Sequence, residues 1–165
     1  MILTGFQFRA ARRALNLTFT QLHQNTGILR GVLTRLENTI GNLEDIYCSA
    51  KDAETLLNYF NQNRLIFPDK NTIVLDADIE PKLVENNLTR FQFIVARTIT
   101  KLSQRELAKN TILTHTSFQR IENNPNDHYV KIPKEGINIL LPFFKKIGIH
   151  FPDNKSIVLK SKLIF

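Results

Sequence analysis

The stretch that decides the fold is Leu102–Asn123, which reads LSQRELAKNTILTHTSFQRIEN. Ser103-x-x-Glu106 fits a capping box, in which the serine oxygen accepts a backbone N–H and the glutamate reaches back to the cap. The pattern predicts a helix over 104–110, a short turn, and a second helix over 115–123. Apolar residues at helical spacing form the side of this pair that we expect to be buried: Leu107, Leu113, Phe118 and Ile121.

The stretch belongs to a longer unit that occurs twice in the chain. Residues 3–38 align without a gap on residues 88–123, and 14 of these 36 positions are identical. The repeat resumes after the loss of one residue, where Phe-Pro-Asp at 67–69 returns at 151–153. Such self-similarity predicts two homologous domains in the 165-residue chain. We place them at 1–75 and 88–165, joined by an acidic linker at 76–87.

Both repeats begin and end with recognisable local signals. Thr4-x-x-Gln7 and Thr89-x-x-Gln92 predict capped helix starts. A later helix of the second repeat is predicted from Pro133 to about Ile147. An apolar stretch, a turn and a β-branched run then predict a small β-hairpin in each repeat. Because a single hairpin is marginal in water, the two hairpins pair either with each other or with those of a second molecule.

The stretch Leu102–Asn123 closely resembles the helix-turn-helix of XRE-type, lambda-repressor-like regulators, whose signature it carries without gaps. The resemblance implies a mainly α fold of two tandem lambda-repressor-like helix-turn-helix domains, each ending in a small β-hairpin. It further implies that Gln104 contacts a phosphate, and that His115, Thr116 and Arg120 occupy base-facing positions.

The physical logic of such a pair agrees with double-stranded DNA as the partner. A helix presented across a short turn can enter the major groove, where arginine and glutamine offer bidentate contacts to guanine and adenine. Exposed cations beside it would neutralise phosphates. The predicted DNA-binding residues of repeat two are Gln104, Thr114, His115, Thr116, Ser117, Gln119 and Arg120, with Lys101, Arg105 and Lys109 on phosphates.

Repeat one departs from this pattern. Phe19 stands where repeat two has Gln104, and Leu29 replaces the helix cap. We expect repeat one mainly to contact the DNA phosphate backbone or to serve assembly, and base reading by repeat one is the alternative. Its predicted phosphate contacts are Arg9, Arg13, Arg30 and Arg35. The resemblance also implies two structural ion pairs, whose members lie 25 positions apart: Arg12 with Glu37 and Arg97 with Glu122.

Charge and composition support a nucleic-acid partner and disfavour other classes. The net charge is +7, distributed as +2 over 1–75, −3 over 76–87 and +8 over 88–165, and a basic half favours a polyanion. The longest apolar stretch, 137–144, is too short to span a bilayer. The N-terminus shows no secretory signal, and the single cysteine fits a reducing compartment, so we expect a cytoplasmic protein.

These observations predict a transcriptional regulator, which we expect to be a repressor. No catalytic motif or metal-ligand spacing appears in the sequence, so we expect neither an enzyme nor a cofactor. The repeats act either as an intramolecular pseudo-dimer through the hairpins or within a homodimer, with recognition helices about 34 Å apart. The alternative is a protein-interaction module, such as an antitoxin or co-regulator, that keeps the fold and binds a protein.

Overall fold

The computed structural model describes residues 2–39, 41–80 and 87–160. Within these ranges the chain is mainly helical, with a small antiparallel sheet, and its two halves have the same order of elements. The first half contains α1 (Gly5–Ala14), α2 (Phe19–Thr26), α3 (Arg30–Thr39), α4 (Ala50–Gln62), β1 (Leu65–Ile66) and β2 (Thr72–Leu75). The second half contains α5 (Arg90–Thr100), α6 (Gln104–Lys109), α7 (His115–Glu122), α8 (Lys134–Lys146), β3 (Ile149–His150) and β4 (Ser156–Leu159).

The helix starts follow the capping residues in the sequence. At α6 the Ser103 N–H donates to Glu106 Oε2 at 2.7 Å, and the Glu106 N–H donates to Ser103 Oγ at 3.2 Å. The same reciprocal pair opens α2 and α5, and at α1 the Thr4 N–H donates to Gln7 Oε1 at 3.0 Å, so the four predicted capping boxes are present. Helix α8 begins at Lys134, one residue later than predicted, because Pro133 lies outside the helix at its N-cap with ψ 148°.

The two hairpins pair with each other in one four-stranded sheet of order β1-β2-β4-β3. The central strands are antiparallel, and Ile73 lies opposite Ile157, its own counterpart in the other repeat. The two flanking hydrogen bonds are also equivalent, from the Leu75 N–H to Lys155 O and from the Leu159 N–H to Asn71 O, both at 2.9 Å. A pseudo-two-fold axis therefore passes between Ile73 and Ile157.

Helices α1 and α5 form the second contact between the halves and run antiparallel. Arg90, the first residue of α5, donates to the carbonyl of Ala14, the last residue of α1, at 2.7 Å. Asn126 donates to the same Ala14 carbonyl at 3.0 Å. Its counterpart Asn42 donates in the reciprocal direction, to Ile99 O of α5 at 3.3 Å. The pseudo-two-fold relation thus extends from the sheet to the helices.

One glutamine in each repeat ties the first helix to the sheet. The Gln7 side chain donates to the carbonyls of Asp69 and Thr72 at 2.7 and 2.8 Å. Gln92 makes the equivalent bonds to Asp153 and Ser156. Both glutamines are buried, so these bonds satisfy polar groups that water cannot reach. This accounts for their identity at matched positions in the two repeats.

The acidic segment predicted as a linker has a described first part that contacts repeat two. Asn154 donates to the Ile79 carbonyl at 2.9 Å, and the Tyr129 hydroxyl donates to the Glu80 carbonyl at 3.0 Å. Ile79 and Glu80 therefore lie against the second half. The remainder of the predicted linker at 81–86, and the end of the predicted second domain at 161–165, lie outside the described residues.

Candidate nucleic-acid interface

Helices α6 and α7 of repeat two form a compact pair with an apolar inner side. Leu107, Leu113, Phe118 and Ile121 are all buried, as the sequence predicts. The Phe118 ring stacks on Phe93 of α5, with ring centroids 5.6 Å apart. Because its inner side is fixed against α5, α7 presents a defined outer side.

The start of α7 is held by its cap. Thr114 Oγ1 accepts the Ser117 N–H at 3.2 Å, and the two hydroxyl groups lie 3.0 Å apart. These two predicted DNA-binding residues therefore serve the helix start. In the turn before them, Thr111 Oγ1 donates to Leu107 O at 3.1 Å and accepts the Leu113 N–H at 3.3 Å. Side-chain hydrogen bonds thus order the turn that positions α7.

The outer side of α7 is polar and open to solvent. Four of the predicted base-reading side chains are exposed there: His115, Thr116, Gln119 and Arg120. On the neighbouring segment Lys101, Arg105 and Lys109 are exposed as well, while Gln104 is half-buried at the first position of α6. The predicted residues of repeat two therefore lie on one continuous segment with donors and cations at its surface.

Glu106 is the one acidic residue within α6, and its carboxylate accepts a hydrogen bond from the Ser103 N–H at the helix start. Hydrogen bonds from the Ser103 hydroxyl and backbone lower the pKa of the Glu106 carboxyl, with a smaller contribution from Lys109. Because the carboxylate serves as the capping partner of α6, it is directed towards the helix start.

The two predicted ion pairs are present in the structure. Arg12 Nε donates to Glu37 Oε2 at 3.0 Å, and Arg97 Nε lies 2.7 Å from Glu122 Oε1. Each arginine also donates to a carbonyl five residues further on, Leu17 O in repeat one and Leu102 O in repeat two. Each pair therefore connects the end of the third helix of its repeat to the first helix and the loop that follows.

The equivalent surface of repeat one is different in kind. Leu29, which occupies the position of the Thr114 cap, is 69% exposed. The Phe19 ring, at the position of Gln104, lies 4.6 Å under the Arg12 guanidinium. Arg13, Arg30 and Arg35 are exposed. Repeat one therefore offers exposed arginines, but apolar groups take the place of the polar ones in repeat two.

The prediction that Arg9 grips a phosphate is wrong. Its side chain is buried, with 4% of the residue exposed. The guanidinium donates to Glu37 O at 3.2 Å and to Asn42 Oδ1 at 2.6 Å, so it closes the C-terminal end of α3. Burial lowers the pKa of Arg9, an effect that Glu37 partly opposes. The counterpart of Arg9 in repeat two is Ile94, an apolar residue at a buried position.

The polar side chains that connect α1 to the second half are absent from the sequence-based prediction. Arg90 is 2% exposed and donates to Asn16 Oδ1 at 2.8 Å as well as to Ala14 O. Repeat one has Gly5 at the matching position, so the repeat pattern gives no signal for this arginine. Asn42 and Asn126 do match between the repeats, and that identity is the signal that could have pointed to them.

Comparison with models of known protein families, with curated proteins and with solved structures gave no match. Two further results concern the described residues. Within these ranges no helix has the length and apolar character needed to cross a membrane. In the same ranges, His, Cys, Asp and Glu side chains form no group of three or more that could hold a metal ion.

Proposed function

We propose that the chain is a sequence-specific regulator of transcription that binds double-stranded DNA as a repressor through two tandem helix-turn-helix units. In this proposal α7 enters the major groove and reads bases. The observation that carries it is the polar, exposed outer side of α7, which is held by a buried inner side and flanked by exposed cations. That combination suits a helix that reads base edges between phosphate contacts.

The pairing of the two repeats supports an intramolecular pseudo-dimer. The shared sheet and the α1–α5 contact relate the halves by a pseudo-two-fold axis, which is the symmetry that paired half-sites on DNA require. We propose that α3 and α7 face half-sites about one DNA turn apart, roughly 34 Å. Because Leu29 and Phe19 replace polar groups, repeat two dominates and the preferred site is asymmetric.

The test is selection from a random duplex library followed by binding measurements on the selected site. Arg120→Ala should weaken binding to that site by about 1–3 kcal/mol and relax the preference at one base position. The matched control is Arg35→Ala, at the same position of repeat one, which should weaken all sequences alike. An equal loss for Arg120→Ala on random and selected DNA would reject base reading by this residue.

A protein-interaction module is the second candidate, and the exposed apolar side chains of repeat one favour it. Leu29 and Tyr47 are 69% and 84% exposed, and a protein partner would remove their apolar surface from water. Such a module would act as an antitoxin or co-regulator. A library that shows no enriched sequence, together with DNA binding lost as salt rises, would favour this function over the first.

A further inference from the structure

A basic groove lies between the two repeats. Its volume is about 290 Å³, and residues of both halves line it. Arg9 and Arg13 come from α1, Glu37 from α3, and Arg97 and Lys101 from the α5 segment. We call it the inter-repeat groove. Its volume is just below the range of about 300–1,000 Å³ that is usual for drug-sized ligands, so it suits a small group.

The groove carries an excess of positive charge. Its one acidic lining residue, Glu37, is already the ion-pair partner of Arg12, and its side chain is 14% exposed. Arg13 is 3.9 Å from Glu37 Oε1 but keeps 56% of its side chain exposed. Burial and the neighbouring charges of Arg12 and Arg97 lower the pKa of Arg13. An anion in the groove would relieve this repulsion.

Lys101 occupies the groove in a backbone conformation that disfavours it. Its φ is +58°, in the left-handed region, which costs most L-residues of the order of 1 kcal/mol and is best tolerated by glycine and asparagine. Repeat one has Asn16 at the matching position, with φ +54°. Within the described residues Lys101 makes no ion pair. This conformation ends helix α5, and a lysine there in place of asparagine adds a positive charge to the groove at a conformational cost.

The groove faces away from the sheet. Gln7 binds the sheet, and successive residues of a helix are rotated by about 100°. Arg9 and Arg13 therefore lie about 200° and 240° around α1 from Gln7. Lys101 lies immediately before the loop into α6. The groove thus adjoins the start of α6 on the side opposite the sheet.

We propose that the inter-repeat groove is a binding site for a phosphate group, held by Arg13 of repeat one and Lys101 of repeat two. The site needs both repeats, since each supplies one of the two cations. The phosphate group has two candidate sources: the backbone of a DNA duplex or a free phosphorylated small molecule. The first source rests on the proposed function, for which Arg13 and Lys101 are predicted phosphate contacts, whereas the second source does not.

The test uses the full chain, inorganic pyrophosphate as the probe, and titration calorimetry at low ionic strength. The variants take the residue of the other repeat: Lys101→Asn, as at position 16, and Arg13→Thr, as at position 98. Each should weaken pyrophosphate binding about tenfold, the effect of losing one charge-assisted contact. The control is Lys146→Asn, which removes the same charge three residues before β3. It should bind pyrophosphate as the wild type does.

Thermal melting separates loss of the site from loss of the fold. Because asparagine suits the left-handed conformation, Lys101→Asn should raise the melting temperature while it weakens pyrophosphate binding. A general loss of structure would lower both. A lower melting temperature for Lys101→Asn, absence of pyrophosphate binding by the wild type, or equal affinity in all variants would overturn the proposal.

Duplex binding distinguishes the two sources of phosphate. If the groove takes a backbone phosphate, pyrophosphate competes with duplex DNA, and Lys101→Asn weakens both ligands. If it takes a free phosphorylated molecule, the variants lose pyrophosphate binding and keep duplex binding. Because the probe does not involve Arg120, failure of base reading and failure of the groove give different results.

Discussion

The contact between the repeats makes Arg90→Met the most informative change to stability. Methionine retains much of the unbranched stem of the arginine side chain and removes the guanidinium. That group lies inside the interface between α1 and the second half, with 2% of the residue exposed. Among the described residues it donates to carbonyl and amide oxygens only: Ala14 O, Asn16 Oδ1, Glu122 O and Asn126 Oδ1.

The expected cost follows from what happens to each acceptor. Ala14 O keeps the bond from Asn126 at 3.0 Å, and the exposed Asn16 gains water instead. Glu122 O and Asn126 Oδ1 each lose a charged donor in a partly buried place, at about 1–3 kcal/mol each. Methionine removes the desolvation cost that lowers the pKa of Arg90, which offsets part of this loss. We expect the free energy of unfolding to fall by about 2–4 kcal/mol.

Denaturation by guanidinium chloride, followed by circular dichroism, measures the free energy of unfolding, and a thermal scan gives a second readout. For a chain of this size, a loss of 1 kcal/mol lowers the melting temperature by about 2–4 °C, so we expect the melting temperature to fall by roughly 5–15 °C. Arg105→Met is the control, because Arg105 is exposed on α6 and its loss should change stability by less than about 0.5 kcal/mol. Equal stabilities for the two variants would refute a structural role for Arg90.

Two further predictions concern a glycine and a histidine near the sheet. Gly148 has φ +90°, so Gly148→Ala should lower the free energy of unfolding by about 1–2 kcal/mol. Arg64→Ala, at the matching position where a side chain already has φ +66°, should cost less in the same denaturation assay, and equal costs would contradict the strain argument. Burial, with Lys160 and Lys145 nearby, lowers the pKa of His150 below its usual 6.5. The unfolded chain then binds the proton more readily, so stability should fall as pH drops through about 6.5; His150→Gln should reduce that fall, and an unchanged pH dependence would count against it.

Local features of the fold could be predicted from the sequence because they depend on a few neighbouring residues. A capping box needs only the cap and the residue three positions later, and Ser103 with Glu106 satisfies it. The hairpins depend on a turn of four residues. The pairing of Ile73 with Ile157 could not be chosen over pairing between molecules, because residues 84 positions apart give no local signal of contact.

Some residues of the candidate site could be predicted from the sequence and others could not. The exposure of Arg120 follows from its place between Phe118 and Ile121, which face the core at helical spacing. The same reasoning failed for Arg9. Its side of α1 is covered by the segment after α3, where Asn42 accepts its hydrogen bond. The pattern of helix α1 alone does not show that this segment buries Arg9. The apolar Ile94 at the matching position does indicate a buried site.

Arg90 could not be predicted because its acceptors Ala14 O and Asn16 Oδ1 lie in the other half of the chain. Its partner Ala14 lies 76 positions away, and Gly5 holds the matching place in repeat one. Because repeat one has no arginine at this position, comparison of the two repeats does not point to Arg90. The two arginines Arg9 and Arg90 nonetheless act alike, since each donates to the last turn of the third helix in its own repeat. The two repeats therefore form the same hydrogen bond with arginines at different positions of their first helices.

The distribution of identities between the repeats bears on how the two halves can act. Asn42 and Asn126, which hold the halves together, are matched, whereas Arg90 has Gly5 at its matching position. On the outer surface Leu29 and Thr114 differ, while Arg35 and Arg120 are identical. In a homodimer one sequence must serve both halves of a symmetric assembly. When both halves lie in one chain that constraint is absent, so the two outer surfaces can differ. If the chain binds DNA as proposed, each outer surface meets a different half-site, and we expect an asymmetric preferred site.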